Sequence, residues 1–183
     1  MSGPRLLVVS GLPASGKTTL ATALSTALRW PLVTKDDYKA ILLDAAPPER
    51  REAEATTNGP LSFALMWHVA EVILRAGGNA VLETHFYRPQ SEAHIRELAG
   101  RHAAQLAQIY CEAPLDELNR RHAARVALGK RPGIDRPFDL SQMPPGACWE
   151  PLNLGNAPLL RLDTTQPGTA ERASAWLHEL WED

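Results

Sequence analysis

Apolar runs of strand length alternate along the chain with stretches of helical periodicity. Arg5–Ser10, Trp30–Thr34, Ala80–Thr84, Ala104–Glu112 and Leu159–Asp163 are short and rich in aliphatic residues, and they read as strands. Pro31 stands at the start of the second, where a missing N–H is tolerated. Between them, apolar residues recur every three to four positions. Leu20, Ala21, Leu24 and Leu28 form one face of a helix over Lys17–Leu28. Leu61, Leu65, Val69, Val72 and Ile73 do the same over Leu61–Ala76, which Gly77-Gly78 closes. Further helices are predicted from Asp36, as N-cap, to Leu43, and over Pro89–Arg101, Pro114–Leu128 and Ala170–Trp181. Residues 45–58 fit either a surface connection or a mobile helix.

Strands and helices in this alternation predict an α/β fold, a parallel sheet with helices on both faces. There is no internal repeat and no composition break, so residues 1–183 read as one domain. The Pro- and Gly-rich stretch from Gly129 to Ala157 is too long for an ordinary connection. With the helix entering it, about 120–157, it is expected to be a lid insertion.

Hydrophobic residues at 44% and charged residues at 22% are ordinary for a globular domain. The net charge of −2 gives no global basic field for a nucleic-acid partner. Cys111 and Cys148 are far apart and have no metal-ligand spacing, so free thiols are expected and a zinc site is not. No run approaches the ~18 apolar residues of a membrane span, and no leader-type apolar segment is present. The expectation is a soluble, cytoplasmic protein, monomeric or homodimeric, without a membrane partner.

One stretch changes the picture most. Gly11-Leu-Pro13-Ala14-Ser15-Gly16-Lys17-Thr18 fits G-x-x-x-x-G-K-[ST], a phosphate-binding P-loop, with a strand before it and a helix after it. Gly11 and Gly16 let the backbone turn and approach an anion closely. Successive N–H groups and the N-terminal end of the helix then face the phosphates. Lys17 would reach the β- and γ-phosphates and the Thr18 hydroxyl would sit on Mg²⁺, with Thr19 following at the helix start. ATP and Mg²⁺ are therefore the expected cofactors, and no guanine-reading Asn-Lys-x-Asp segment is present.

Other candidate residues follow the ends of predicted strands, where ligands bind in open α/β sheets. Asp36 can take a proton from an acceptor hydroxyl or serve as a helix cap. Lys39, three residues on, can hold an anionic acceptor or be a solvated helix lysine. Glu83 ends an apolar strand, a position where a carboxylate holds the Mg²⁺ shell. His85 beside it is either an acceptor-binding residue or a polar loop residue. Arg121 and Arg125 lie i,i+4 on the helix entering the lid and suit phosphate clamping, with salt bridging to Glu117 as the alternative. Arg120, Lys130, Arg131 and Arg136 add positive charge nearby. Trp149 is a candidate for substrate stacking; the other tryptophans read as core.

Gly11–Thr19, Lys35-Asp36-Asp37-Tyr38-Lys39, Val81-Leu82-Glu83 and Arg121-His-Ala-Ala-Arg125 occur in an order and at distances that resemble the P-loop kinases of the polynucleotide-kinase and zeta-toxin-like group. The resemblance spans about residues 5–128 and the strand ending at Asp163-Thr164-Thr165. It implies a five-stranded sheet in the order 2-3-1-4-5, Asp36 as general base and Arg125 on the ATP phosphates. It also implies transfer of the γ-phosphate to a hydroxyl. Polynucleotide kinases carry an arginine where this chain has Lys39, and lysine keeps the charge without the bidentate fork. A small-molecule acceptor (nucleoside, sugar or antibiotic) is thus the first expectation. A 5′-hydroxyl nucleic acid is second, and a toxin-type kinase acting on a sugar nucleotide is a further variant. A regulatory ATP-binding module or slow ATPase is the alternative of another class.

Overall fold

The computed structural model describes residues 3–129 and 134–181. Its centre is β1 (Arg5–Ser10), whose residues after Arg5 are all buried, as the continuous apolar run requires of a strand covered on both faces. β1 pairs in parallel with β3 (Ala80–Glu83) on one side and β4 (Gln105–Glu112) on the other. β2 (Leu32–Thr34) and β5 (Leu159–Asp163) form the edges, and the order is β2-β3-β1-β4-β5. The sheet is the expected one.

Alternation along the strands sends side chains to two separate cores. Leu6, Val8, Leu82 and Tyr110 meet Met66, Leu74, Ile95 and Leu98 from α4 (Gly59–Arg75) and α5 (Gln90–Arg101). Leu7, Val9, Val81 and Ile109 face the other way and meet Leu20, Leu24 and Leu177 from α1 (Lys17–Leu28) and α7 (Thr169–Trp181). This is a three-layer α/β domain. A third, smaller cluster of Leu12, Leu118 and Leu140 lies under α6 (Leu115–Ala127) and carries Met143 and Trp149 at its margin.

Three local expectations change. The helix after β2, α2 (Lys35–Ala45), begins two residues earlier than Asp36 as a cap would allow. Its cap is Thr34, the last residue of β2, whose hydroxyl accepts from the Asp37 N–H at 3.1 Å. Thr34 is already in the extended conformation of a cap, so strand passes to helix without a loop. Asp36 is thereby released from capping and sits in the first turn, where a carboxylate suits the helix dipole. α4 starts at Gly59 rather than Leu61, with Pro60 in its first turn, where its missing N–H costs nothing. Residues 45–58, left open by the sequence, form a 3-10 turn (Pro48–Arg50) and the short helix α3 (Arg51–Thr57).

Among the described residues, the segment between α6 and β5 is irregular apart from a 3-10 turn at Leu140–Gln142 and a single antiparallel bridge from Ala147 to Tyr87. Its later part is tied to the sheet. The Tyr110 hydroxyl lies 3.0 and 2.6 Å from the carbonyls of Cys148 and Trp149, and Gln108 exchanges two hydrogen bonds with Leu152. Ala147, Cys148, Leu152 and Leu154 are buried. Lys130 and Arg131 lie outside the described residues. Both cysteines are free and buried, and burial pushes the Cys111 and Cys148 thiols up to about 12 and about 11. Among the described residues no helix is long and apolar enough to cross a membrane.

Candidate active site

All strands point the same way, so the residues that follow their C-terminal ends meet at one edge of the sheet. The loop after β1 is the P-loop. Gly11 has φ +144°, and a Cβ there would stand 2.3 Å from the Cys111 carbonyl oxygen and 2.6 Å from Ser15 Oγ. Only glycine passes this close to β4. Gly16, at φ +83°, caps α1 in the left-handed region, and Ala14 also has positive φ at 64°. Ser15 is fully buried inside the loop.

Lys17 is buried, and its ammonium donates to the Leu12 carbonyl at 3.2 Å. An ammonium has three donors, so the loop carbonyl takes one and phosphate oxygens can take others. The Thr18 hydroxyl donates to Glu83 Oε1 at 3.3 Å. Glu83 is only 3% exposed, held by the register of β3 beside Val9 and Thr34. A hydroxyl beside a buried carboxylate is a hard-oxygen donor pair that fits Mg²⁺, which keeps waters and phosphates as its other ligands. Among the described residues no cluster of three or more His, Cys, Asp or Glu side chains is built to hold a metal by itself.

Two clefts open from this point. The first, about 300 Å³, is lined by Ala14, Gly16, Lys17, Thr18, Thr19, Arg121 and Arg125. The second, about 420 Å³, is lined by Pro13, Lys17, Thr18, Lys35, Asp36, Lys39, His85, Tyr87 and Arg125, and by Ile134–Phe138, Leu140 and Met143 from the segment beyond α6. The clefts share Lys17, Thr18 and Arg125. Of the residues expected on the nucleotide, Pro13 lies in the second cleft rather than the first. Asp36, Lys39 and His85 are brought together in the second cleft as expected.

The two arginines differ. Arg121 is bound to Glu117 at 2.6 Å and to the Thr164 hydroxyl and carbonyl at 3.0 and 3.2 Å. It is thus tied to the loop after β5 while lining the first cleft. Arg120 is exposed and pairs with Glu117 at 2.7 Å. Those two arginines hold the Glu117 carboxyl down at about 2. Arg125 instead meets Asp135 at 2.8 Å and His122 Nδ1 at 3.3 Å, and His122 Nε2 lies 2.9 Å from the Arg136 carbonyl. The Asp135 side chain is 5% exposed. Sequence reading missed Asp135, Lys35, Tyr87 and Phe138. Lys35 adjoins Asp36 in the chain and its position was the available signal; the others lie in stretches without periodicity.

Lys35 Nζ lies 3.3 Å from Asp36 Oδ1. His85 Nε2 and the Tyr87 hydroxyl are 2.9 Å apart. Burial, then the charges of Lys17, Lys35 and Lys39, push His85 down to about 3, so its imidazole is neutral at ordinary pH. A folded state that keeps this group neutral binds fewer protons than the unfolded chain between its ordinary value and about 3. Stability is therefore expected to fall as pH drops through that window. Thermal unfolding at a series of pH values checks this: His85→Asn should flatten part of the decline, and an unchanged slope would remove His85 as its source. Trp149 donates its ring N–H to the Pro144 carbonyl at 3.2 Å, packs on the cluster of Leu12, Leu118 and Leu140, and lines neither cleft.

A protein of Chloroflexus aurantiacus J-10-fl that carries a provisional kinase name is 32% identical, covers 97% of this chain and 98% of its own, and superposes with a TM-score of 0.83. A gluconokinase from Sinorhizobium meliloti 1021 is 19% identical over 100% of this chain and 96% of its own, with a TM-score of 0.60. The Mycobacterium tuberculosis APS kinase CysC, solved with AMPPNP and APS, is 18% identical over the whole of both chains, with a TM-score of 0.59. The last two likenesses are of fold. No curated protein matches the sequence. The sequence profile of the AAA domain family matches residues 6–139, from the first strand through the P-loop and both arginines to the wall of the second cleft, and the chain belongs to that family.

Proposed function

We propose that the protein is a P-loop kinase that moves the γ-phosphate of ATP to a hydroxyl of a small acceptor. One observation carries this reading: the phosphate cleft and the Asp36 cleft share the wall made by Lys17, Thr18 and Arg125. A nucleotide in the first would present its terminal phosphate to whatever lies in the second. The Chloroflexus protein's name and the kinase folds of the other two likenesses point the same way.

In this reading Lys17 and the guanidinium of Arg125 balance the charge that spreads over the transferred group. Thr18, with Glu83 behind it, would hold Mg²⁺, which would supply positive charge against the phosphates. Asp36 accepts the proton of the acceptor hydroxyl as its oxygen bonds to phosphorus and the bond to ADP breaks. Lys35, 3.3 Å away, steadies the Asp36 carboxylate. The region 120–157 is proposed as the lid, with Asp135–Phe138 as the part that covers the acceptor. The reading places the chain near the polynucleotide-kinase and zeta-toxin-like group, with Lys39 favouring a small acceptor over a nucleic acid.

The test is phosphoryl transfer from ATP–Mg²⁺ to a panel of hydroxyl compounds, followed by product mass. Asp36→Asn should lower acceptor-dependent ADP formation by about 10²–10⁴-fold while nucleotide affinity stays unchanged. ADP released at one rate with or without any acceptor, equally in both proteins, would instead establish an ATPase or ATP-binding module.

A further inference from the structure

The second cleft holds more positive charge than the nucleotide accounts for. Lys17 and Arg125 line both clefts, and the transferred phosphate engages them. Of the two clefts, Lys35, Lys39 and Arg136 line the second alone, and Arg136 also borders a neighbouring cavity with Asp44, Arg51 and Glu52. Lys35 and Lys39 lie i,i+4 on one face of α2. Arg136 comes from a distant segment across the cleft.

Lys35 is the unusual member. Its side chain is 10% exposed, its Nζ lies 5.9 Å from the Phe63 ring, and its carboxylate neighbour is Asp36. An ammonium in so dry a position needs compensating negative charge. Asp36 supplies part of it. Asp135, the other carboxylate of the cleft, faces Arg125 at 2.8 Å. Phe138, Leu140 and Met143 give the same cleft an apolar wall. The cleft thus pairs a cationic side with a surface suited to a carbon skeleton.

We infer that the acceptor is a small organic oxyanion, a hydroxyl compound whose phosphate or carboxylate group is held by Lys35, Lys39 and Arg136 while its hydroxyl meets Asp36. The identity of that hydroxyl as the phosphate-receiving group rests on the kinase reading above. A neutral sugar or nucleoside would add nothing to the negative charge that Asp36 and Asp135 bring to a cleft with five lining cations, Lys17, Lys35, Lys39, Arg125 and Arg136. An anion would satisfy them by charge-assisted hydrogen bonds.

Calorimetric titration of the protein saturated with AMPPNP–Mg²⁺ tests this. Filling the first cleft beforehand occupies Lys17 and Arg125. The probes are matched pairs: glycerol and glycerate, glucose and glucose 6-phosphate, adenosine and AMP. In at least one pair the anion should bind about ten-fold tighter than its neutral partner. The carboxylate and phosphate pairs separate the two sources of negative charge. Lys39→Gln and Arg136→Gln should each narrow the preference; the exposed Arg136 side chain makes its variant safe for folding. Neutral partners binding as well as the anions, no anion binding at all, or a preference unchanged in both variants would overturn the inference. Adding ATP–Mg²⁺ to the same mixtures gives a separate readout. Anions that bind through Lys39 and Arg136 yet gain no phosphoryl group would retire the kinase reading and leave the anion site standing.

Discussion

Replacing Arg125 by alanine is expected to lower acceptor-dependent turnover by about 10³–10⁵-fold, the range for a guanidinium that balances charge on a transferring phosphoryl group. Among the described residues Arg125 is the one arginine that lines both clefts, and it does so from a fixed position. Asp135 at 2.8 Å and His122 at 3.3 Å hold it, and the Arg136 carbonyl holds His122 in turn. The same pairing complicates the experiment. Removing the arginine leaves Asp135, with a side chain only 5% exposed, as a buried charge without its partner. Breaking a buried pair in this way costs about 3–5 kcal/mol of stability. The alanine variant should therefore unfold at lower temperature as well as turn over slowly. Adding Asp135→Asn separates the effects: it removes the stranded charge and should restore much of the melting temperature without restoring turnover. Arg125→Lys should fall between, because it keeps the charge and loses the bidentate fork. If the double variant recovers turnover together with stability, Arg125 is a structural residue and not a phosphate ligand.

Gly11→Ala is expected to abolish nucleotide binding and to destabilise the domain by about 2–4 kcal/mol. Both consequences come from one atom. At φ +144° the added Cβ would fall 2.3 Å from the carbonyl oxygen of Cys111, backbone that cannot move without shifting β4. β4 pairs with the central strand over Arg5–Ser10, so the strain spreads into the sheet. The alternative is for the loop to lift, and then its N–H groups no longer converge on one anion. For a chain of this length the loss corresponds to roughly 5–15 °C in melting temperature. Differential scanning calorimetry and titration with AMPPNP–Mg²⁺ measure both effects. An alanine variant that binds the nucleotide like the parent would mean the tight passage beside Cys111 does not shape the loop. Gly16→Ala is a milder comparison, because the nearest atoms to its Cβ would be those of the Thr164 side chain, at 3.5 Å, though its φ is still +83°.

Much of the fold could be read from order alone. Each strand is a contiguous apolar run and each helix a local repeat, so their existence needs no knowledge of distant residues. The alternation of the two requires parallel pairing with crossovers, hence a sheet covered on both faces. The errors were local too. Asp36 resembled a cap as well as Thr34 did, and the choice depended on where β2 ended, which is set by pairing with β3. α3 is short and polar, so its pattern cannot be told from a loop without the helices it packs against.

The candidate site divides in the same way. Gly11 to Thr18 is a continuous stretch whose chemistry is set by backbone N–H groups and neighbours in sequence, and it was legible from those residues alone. That Asp36, Lys39, Glu83 and His85 belong near it also followed, because strand ends in a parallel sheet converge. The sequence by itself thus determined the sheet, the phosphate loop and the edge of the sheet at which the candidate residues gather. Only the tertiary structure decided what Arg125 touches, that Arg121 is tied to Thr164, and that Arg136 lines one cleft with Lys35 and Lys39. Apart from the His122–Arg125 contact within α6, these bring together residues from separate parts of the chain. Their partners are chosen by burial and charge balance after the layers have packed, and neither quantity exists in a sequence until the chain has folded.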